Sequence, residues 1–255
     1  MSRLPQLLQR SFLDQFGRLT RSATSLRARI RDKVGQTADV APEAQSTASA
    51  KITRVTSAPE GECIYAIVEF LLSDRLQAFE TVFLMGNHEE ALLKFFDDES
   101  FGSQWVRYGG GETLYSYGFQ PPNTRGSLGS HEAMTSVRLA WSKLWHAFRD
   151  RMPPEHLAFY QSLKPSYCAG DYLFVHAGLR PTVAMEKQST RDMLWIRDEF
   201  LDDTRQFPHL IVHGHTPAEG VYRDNRRIGL DTGAFLSGKL SAAKLFGEDV
   251  TFLTT

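Results

Sequence analysis

The chain has 255 residues, 42% hydrophobic and 23% charged, with a formal net charge of −1. That is room for one large α/β domain, or for a domain of about 200 residues with an appendage, and so balanced a charge favours neither nucleic acid nor a membrane as partner. No run approaches the ~18 continuous apolar residues of a membrane span, and the N-terminus lacks the apolar core and cleavage site of a secretory signal.

Charge is nevertheless uneven. Residues 1–35 hold eight basic side chains against Asp14 and Asp32, a local +6 that leaves −7 for the rest. Leu4, Leu7, Leu8, Phe12, Phe16 and Leu19 recur at spacings of three and four, the stripe of an amphipathic helix. Such a segment could make weak contact with an anionic membrane surface or act as a transit-like peptide; the simpler reading is a terminal helix that packs on the domain or stays loose. Gly35 to Ala50 is rich in Ala, Ser, Thr and Gln without periodicity and reads as a linker. Residues 1–50 are therefore set apart, and a folded domain is expected over 51–255.

Within it, short apolar runs alternate with helical stretches, the pattern of an α/β fold. Strands are predicted at Cys63–Ile67, Thr81–Met85, Tyr172–Val175, Leu210–Val212 and Arg227–Leu230, with a closing hairpin at Leu240–Phe246 and Val250–Leu253 turned by Gly247, Glu248 and Asp249. Helices are predicted at Val68–Leu76, Glu89–Phe96, Ser130–Met152 and Glu155–Leu163. A helical cap is expected over about residues 102–163, where Gly109-Gly110-Gly111 and aromatic loops would shape access to the strand ends. Cys63 and Cys168 lie in or beside apolar runs, which suits buried thiols in a reducing, cytoplasmic setting.

Three of these strands end alike. Thr81–Met85 runs into Gly86-Asn87-His88-Glu89, Tyr172–Val175 into His176-Ala177-Gly178, and Leu210–Val212 into His213-Gly214-His215-Thr216-Pro217. The carboxyl ends of strands are where open α/β sheets bind ligands, and each segment carries a glycine that allows a sharp turn or close approach. One histidine at a strand end is ordinarily a satisfied polar group, the reading given to His131, His146, His156 and His209. Asn87, His176 and His215 together point to a metal site, and two imidazoles with one carboxamide suit Mn, Fe, Zn or Ni better than Ca or Mg.

GNHE at 86–89, FVHAGLRP at 174–181, LWIRDEF at 194–200 and VHGHTP at 212–217 resemble the later motifs of the calcineurin-like metallophosphoesterases, in particular the bacterial serine/threonine phosphatase and diadenosine tetraphosphatase branch. The resemblance runs from about Ile64 to the C-terminus and implies an α/β/β/α sandwich acting on a phosphorylated substrate. It implies metal ligation by Asn87, His176 and His215, proton donation to the leaving oxygen by His88, and a phosphate clamp by Arg197. An arginine fork meets phosphate oxygens bidentately.

Two motifs of that family, G-D-x-H-G after its first strand and G-D-x-x-D-R-G after its second, do not occur. Cys63–Ile67 resembles the first strand and Val68–Leu72 the helix after the second motif, so a βα segment is expected to be missing between them. With it would go the ligands of the first metal, leaving one metal site at most. Gly170-Asp171 precedes a strand and cannot replace them by position; Asp231, after a strand, is a weak candidate, with a turn aspartate as the simpler reading. Losing one metal removes part of the means of activating water, so near-total loss of hydrolysis is expected. Three outcomes stay open: a phosphoesterase, a phospho-ligand-binding protein that does not hydrolyse, and a product that misfolds.

Overall fold

The computed structural model describes residues 63–77, 79–123 and 131–255; the expectations for residues 1–50, and for a domain beginning at Lys51, lie outside these. The order is α1 (Cys63–Leu72), α2 (Asn87–Asp97), α3 (Gly102–Arg107), α4 (Gly110–Ser116), α5 (His131–Arg151), α6 (Pro154–Ser162), β1 (Ser166–Ala169), β2 (Tyr172–Val175), α7 (Thr190–Trp195), α8 (Asp198–Leu201), β3 (Leu210–His213), β4 (Tyr222–Arg223), β5 (Arg227–Gly229), α9 (Ala234–Ser237), β6 (Ser241–Phe246) and β7 (Asp249–Thr254). This is the expected α/β class.

A five-stranded sheet runs in the order β1-β2-β3-β5-β4. β2, β3 and β5 are parallel, while β1 and β4 are antiparallel edges. Side chains alternate across a strand, so β2 divides its apolar residues between two cores. Leu173 and Val175, with Ile211 of β3, face Ile196 and Phe200 beside α7 and α8. Tyr172 and Phe174, with Val212 and Ile228, face Ala243, Leu245, Val250 and Phe252 of the β6–β7 hairpin. The stacking is thus helix, sheet, second sheet, and burial on both faces explains why β2 and β3 read as unbroken apolar runs.

The helices α1–α6 enclose a third core, rich in aromatic rings. Phe95 stacks on Trp105 with ring centroids 4.8 Å apart and meets Trp141 and Phe148 at 5.8 Å each. Gly102 and Gly110 permit this closeness, since a Cβ at either would lie 2.4 Å from a tryptophan ring atom. α2 shows why these residues form a helix: Ala91, Leu92, Phe95 and Phe96 make one buried stripe, Glu89 and Glu90 occupy its first turn and Lys94 its last. Among the described residues no helix is long and apolar enough to cross a membrane.

Three expectations need correction. Cys63–Ile67 is not a strand; it opens α1, one helix through Leu72, so the strand-to-helix join expected at Ile67 and Val68 is absent. The ten-residue apolar run hid a helical stripe, in which Tyr65, Val68 and Leu71 pack on the helical core. Thr81–Met85 is reduced to a single parallel bridge, Leu84 to Lys164, because no longer ladder forms beside it. Cys168 is exposed, not buried. It shares a face with its cross-strand partner Leu173, but α7 and α8 cover the centre of that face and β1 is its edge.

Candidate metal and phosphate site

Asn87 is the first residue of α2, after an extended Gly86 whose N–H donates to Glu89 Oε2 at 2.9 Å. A Cβ on Gly86 would lie 2.4 Å from that carboxylate oxygen and 3.0 Å from the His176 ring, so only glycine lets the two side chains close over this turn. His176 follows β2. Gly214 N–H donates to its carbonyl at 2.9 Å and Ala177 N–H to Met193 O at 2.8 Å, tying this loop to those after β3 and in α7. His215 has φ 68°, the one positive value among the described non-glycine residues. Left-handed backbone at a histidine costs energy, and here it turns the imidazole toward His176.

The three predicted ligands meet. His176 Nε2 lies 2.8 Å from Asn87 Oδ1 and 3.1 Å from His215 Nδ1, with the two rings 4.9 Å apart. A single proton on Nε2 cannot make a linear hydrogen bond to both neighbours. At metal–ligand distances of about 2.1 Å, adjacent ligands stand about 3.0 Å apart in an octahedral shell and about 3.4 Å in a tetrahedral one, so the spacing fits a common cation. Asn87 and His215 are buried, which keeps water from competing for these atoms. The donors are all neutral, and among the described residues no group of three or more His, Cys, Asp or Glu side chains is placed to hold a metal.

Around them lies a cavity of about 470 Å³ that also takes in His88, Arg197, Glu89 and Asp231. His88 is exposed on α2 and abuts Gly109, where φ is 89° and a Cβ would lie 3.1 Å from the ring. Arg197 donates through Nη1 to His215 O at 3.2 Å and to Thr216 Oγ1 at 3.1 Å. Trp195, two residues earlier, donates to Glu90 Oε2 at 2.7 Å and so pins the arginine's segment to the first turn of α2. Asp231 is buried and accepts from Gly233 N–H at 3.0 Å, a turn bond to its own backbone. Gly170-Asp171 turns into β2 away from this cavity lining. Of the remaining histidines, His156 is fully buried between Tyr117 Oη at 2.8 Å and Glu69 Oε1 at 2.7 Å.

Residues outside the motifs hold the His176 loop in place, and sequence reasoning missed them. Gln188 accepts from Arg180 N–H and donates to Arg180 O and Val183 O, a pattern visible only once the loop closes on itself. Arg180 grips Asp192 through Nε at 3.1 Å and Nη2 at 2.6 Å, and that pairing holds the Asp192 carboxyl below the usual carboxylate range. A carboxyl depressed in the fold stabilises above its unfolded pKa, about 3.9, and loses that contribution as pH falls through the lowered folded value. Asp192→Asn should therefore lower Tm by a few degrees at pH 7. The deficit should close as pH drops below about 4, which thermal melts at several pH values would read; a deficit constant with pH would rule the ion pair out as its cause.

The calcineurin-like phosphoesterase profile matches residues 57–242. A solved structure described as a "putative diadenosine tetraphosphatase" shares 19% identity, covers 74% of this chain and 73% of its own, and superposes with a TM-score of 0.45. No curated protein matches the chain. The profile spans well over half of the sequence, and the chain belongs to the calcineurin-like phosphoesterase family.

Proposed function

We propose that this chain is a metal-dependent phosphoesterase with a single cation site, and that its hydrolysis is weakened because the motifs that carry the ligands of the family's first metal do not occur in the sequence. The placement of Asn87 Oδ1 at 2.8 Å and His215 Nδ1 at 3.1 Å from His176 Nε2 carries the reading. Nitrogen and amide oxygen favour manganese, iron or zinc, and once bound the ion would act as a Lewis acid on a phosphoryl oxygen. Arg197, docked on the His215 loop, presents a fixed positive charge to the same cavity and holds the phosphoryl group for in-line attack by water. His88 gives a proton to the leaving oxygen as the phosphorus–oxygen bond breaks. Protein phosphoesters, dinucleoside polyphosphates and small phosphomonoesters all accord with this polar end.

Purified full-length chain with manganese should turn over a chromogenic phosphomonoester slowly, and His88→Ala should reduce that rate by about 10²-fold or more. The neutral ligand set favours one other reading, a protein that binds a phosphorylated ligand without cleaving it. Equal rates for the wild type and His88→Ala, with inorganic phosphate still bound in calorimetry, would establish that reading instead.

A further inference from the structure

We propose that His213 and Arg227 are positioning residues of the cation site: Arg227 fixes the proton of the His213 ring on Nδ1, and that proton holds the strained turn from which His215 reaches the cation. The inference rests on the metal reading of Asn87, His176 and His215 and extends it to residues that act through the backbone. Thr216 N–H donates to Gly214 O at 2.8 Å, a bond that spans the single residue His215 at φ 68°. This is the rare, strained form of the γ-turn, and such a conformation persists only where its surroundings over-determine it.

His213, at the end of β3, supplies that constraint. It is buried, with its ring edge-on to Phe200 at 5.0 Å between centroids. Its Nδ1 lies 3.1 Å from Gly214 O and its Nε2 lies 3.1 Å from Arg227 Nη1. An arginine only donates, so Nε2 must accept, and an imidazole that accepts at Nε2 carries its proton on Nδ1. Gly214 O therefore receives two donors, His213 Nδ1–H and Thr216 N–H. The Gly214 carbonyl carbon belongs to the torsion that φ of His215 measures, so fixing this peptide fixes the direction of the His215 imidazole. Arg227 is held in turn: its guanidinium carbon sits 4.0 Å from the centroid of the Tyr222 ring, and its backbone N–H donates to Asp224 Oδ1 at 2.7 Å. The constraint on the third metal ligand thus begins on β5, which pairs with β3 in parallel and sets Gly229 opposite His213.

Manganese calorimetry on the full-length chain and three variants, each checked by a thermal melt, tests this. A carboxamide at Asn places its nitrogen near the Nδ1 position, whereas one at Gln reaches the Nε2 position. His213→Asn should therefore keep the donor to Gly214 O and bind manganese within about threefold of the wild type, while His213→Gln, which keeps only the contact with Arg227, should bind at least about tenfold more weakly. Arg227→Met should weaken binding about tenfold beside His213 and have little further effect beside His213→Asn, a rescue that a merely structural arginine would not show. Equal affinities for the Asn and Gln variants, or affinities that simply follow the melting temperatures, would overturn the inference and leave the metal site standing. Nitrogen NMR of the histidine-labelled wild type guards against variants that fail to fold: it should show the His213 proton on Nδ1, and a proton on Nε2 would overturn the inference whatever the variants do. Failure of the wild type to bind manganese would overturn the metal reading and this inference with it.

Discussion

Replacing His176 by alanine should abolish metal binding, with native mass spectrometry showing the manganese-loaded species of the wild type and none for the variant. His176 is the hub of the trio: its Nε2 contacts both Asn87 Oδ1 and His215 Nδ1. The cation would be left with two neutral donors, too few to offset the loss of its hydration. Phosphoester turnover should fall by about 10²–10³-fold in parallel, the scale on which loss of a single electrostatic stabiliser is felt. His146→Ala, on the exposed side of α5, is the matching control and should bind metal like the wild type. Retention of a full complement of metal by His176→Ala would mean that the three donors are hydrogen-bonded to one another and serve no cation.

Phe95→Ala should cost about 3–5 kcal/mol of folding stability, read as a lower urea midpoint with little change in slope. The ring is fully buried and touches three other aromatic side chains, so its removal combines lost transfer free energy with a cavity that Trp105 and Trp141, already tight against Gly102 and Gly110, cannot readily fill. Its carbonyl also accepts from Trp145 Nε1 at 2.8 Å, which ties α5 to α2. Phe95 and Asn87 lie on the same helix two turns apart, so the loss should reach the site as weaker metal affinity as well as lower stability. A cost below about 1 kcal/mol would show that the helical layer does not pack as described.

Short-range chemistry was readable from residues alone. Asn87, His176 and His215 announce themselves because each comes within three residues of the end of an apolar run and within two of a glycine, and that local pattern places a polar side chain at a strand or loop end whatever the rest does. The two faces of β2, the hairpin turned at Gly247, and α2 with its acidic start and buried stripe are equally local, since periodicity and end-charge are properties of a few consecutive residues.

What depended on partners distant in the chain had to await the tertiary structure. The run Cys63–Leu72 is apolar enough for strand or helix, and the helical core that receives Tyr65, Val68 and Leu71 decides for helix. Thr81–Met85 has strand composition, yet a strand exists only where a neighbour offers a ladder, and Lys164 offers one bridge. Cys168 is exposed because cover by α7 and α8 stops short of the edge strand, a matter of layer width that no local pattern records. The site divides in the same way. Which residues could bind was written in their side chains, but the 2.8 and 3.1 Å spacings and the docking of Arg197 on the His215 carbonyl come from segments spread between Ile64 and Phe235 meeting at one cavity.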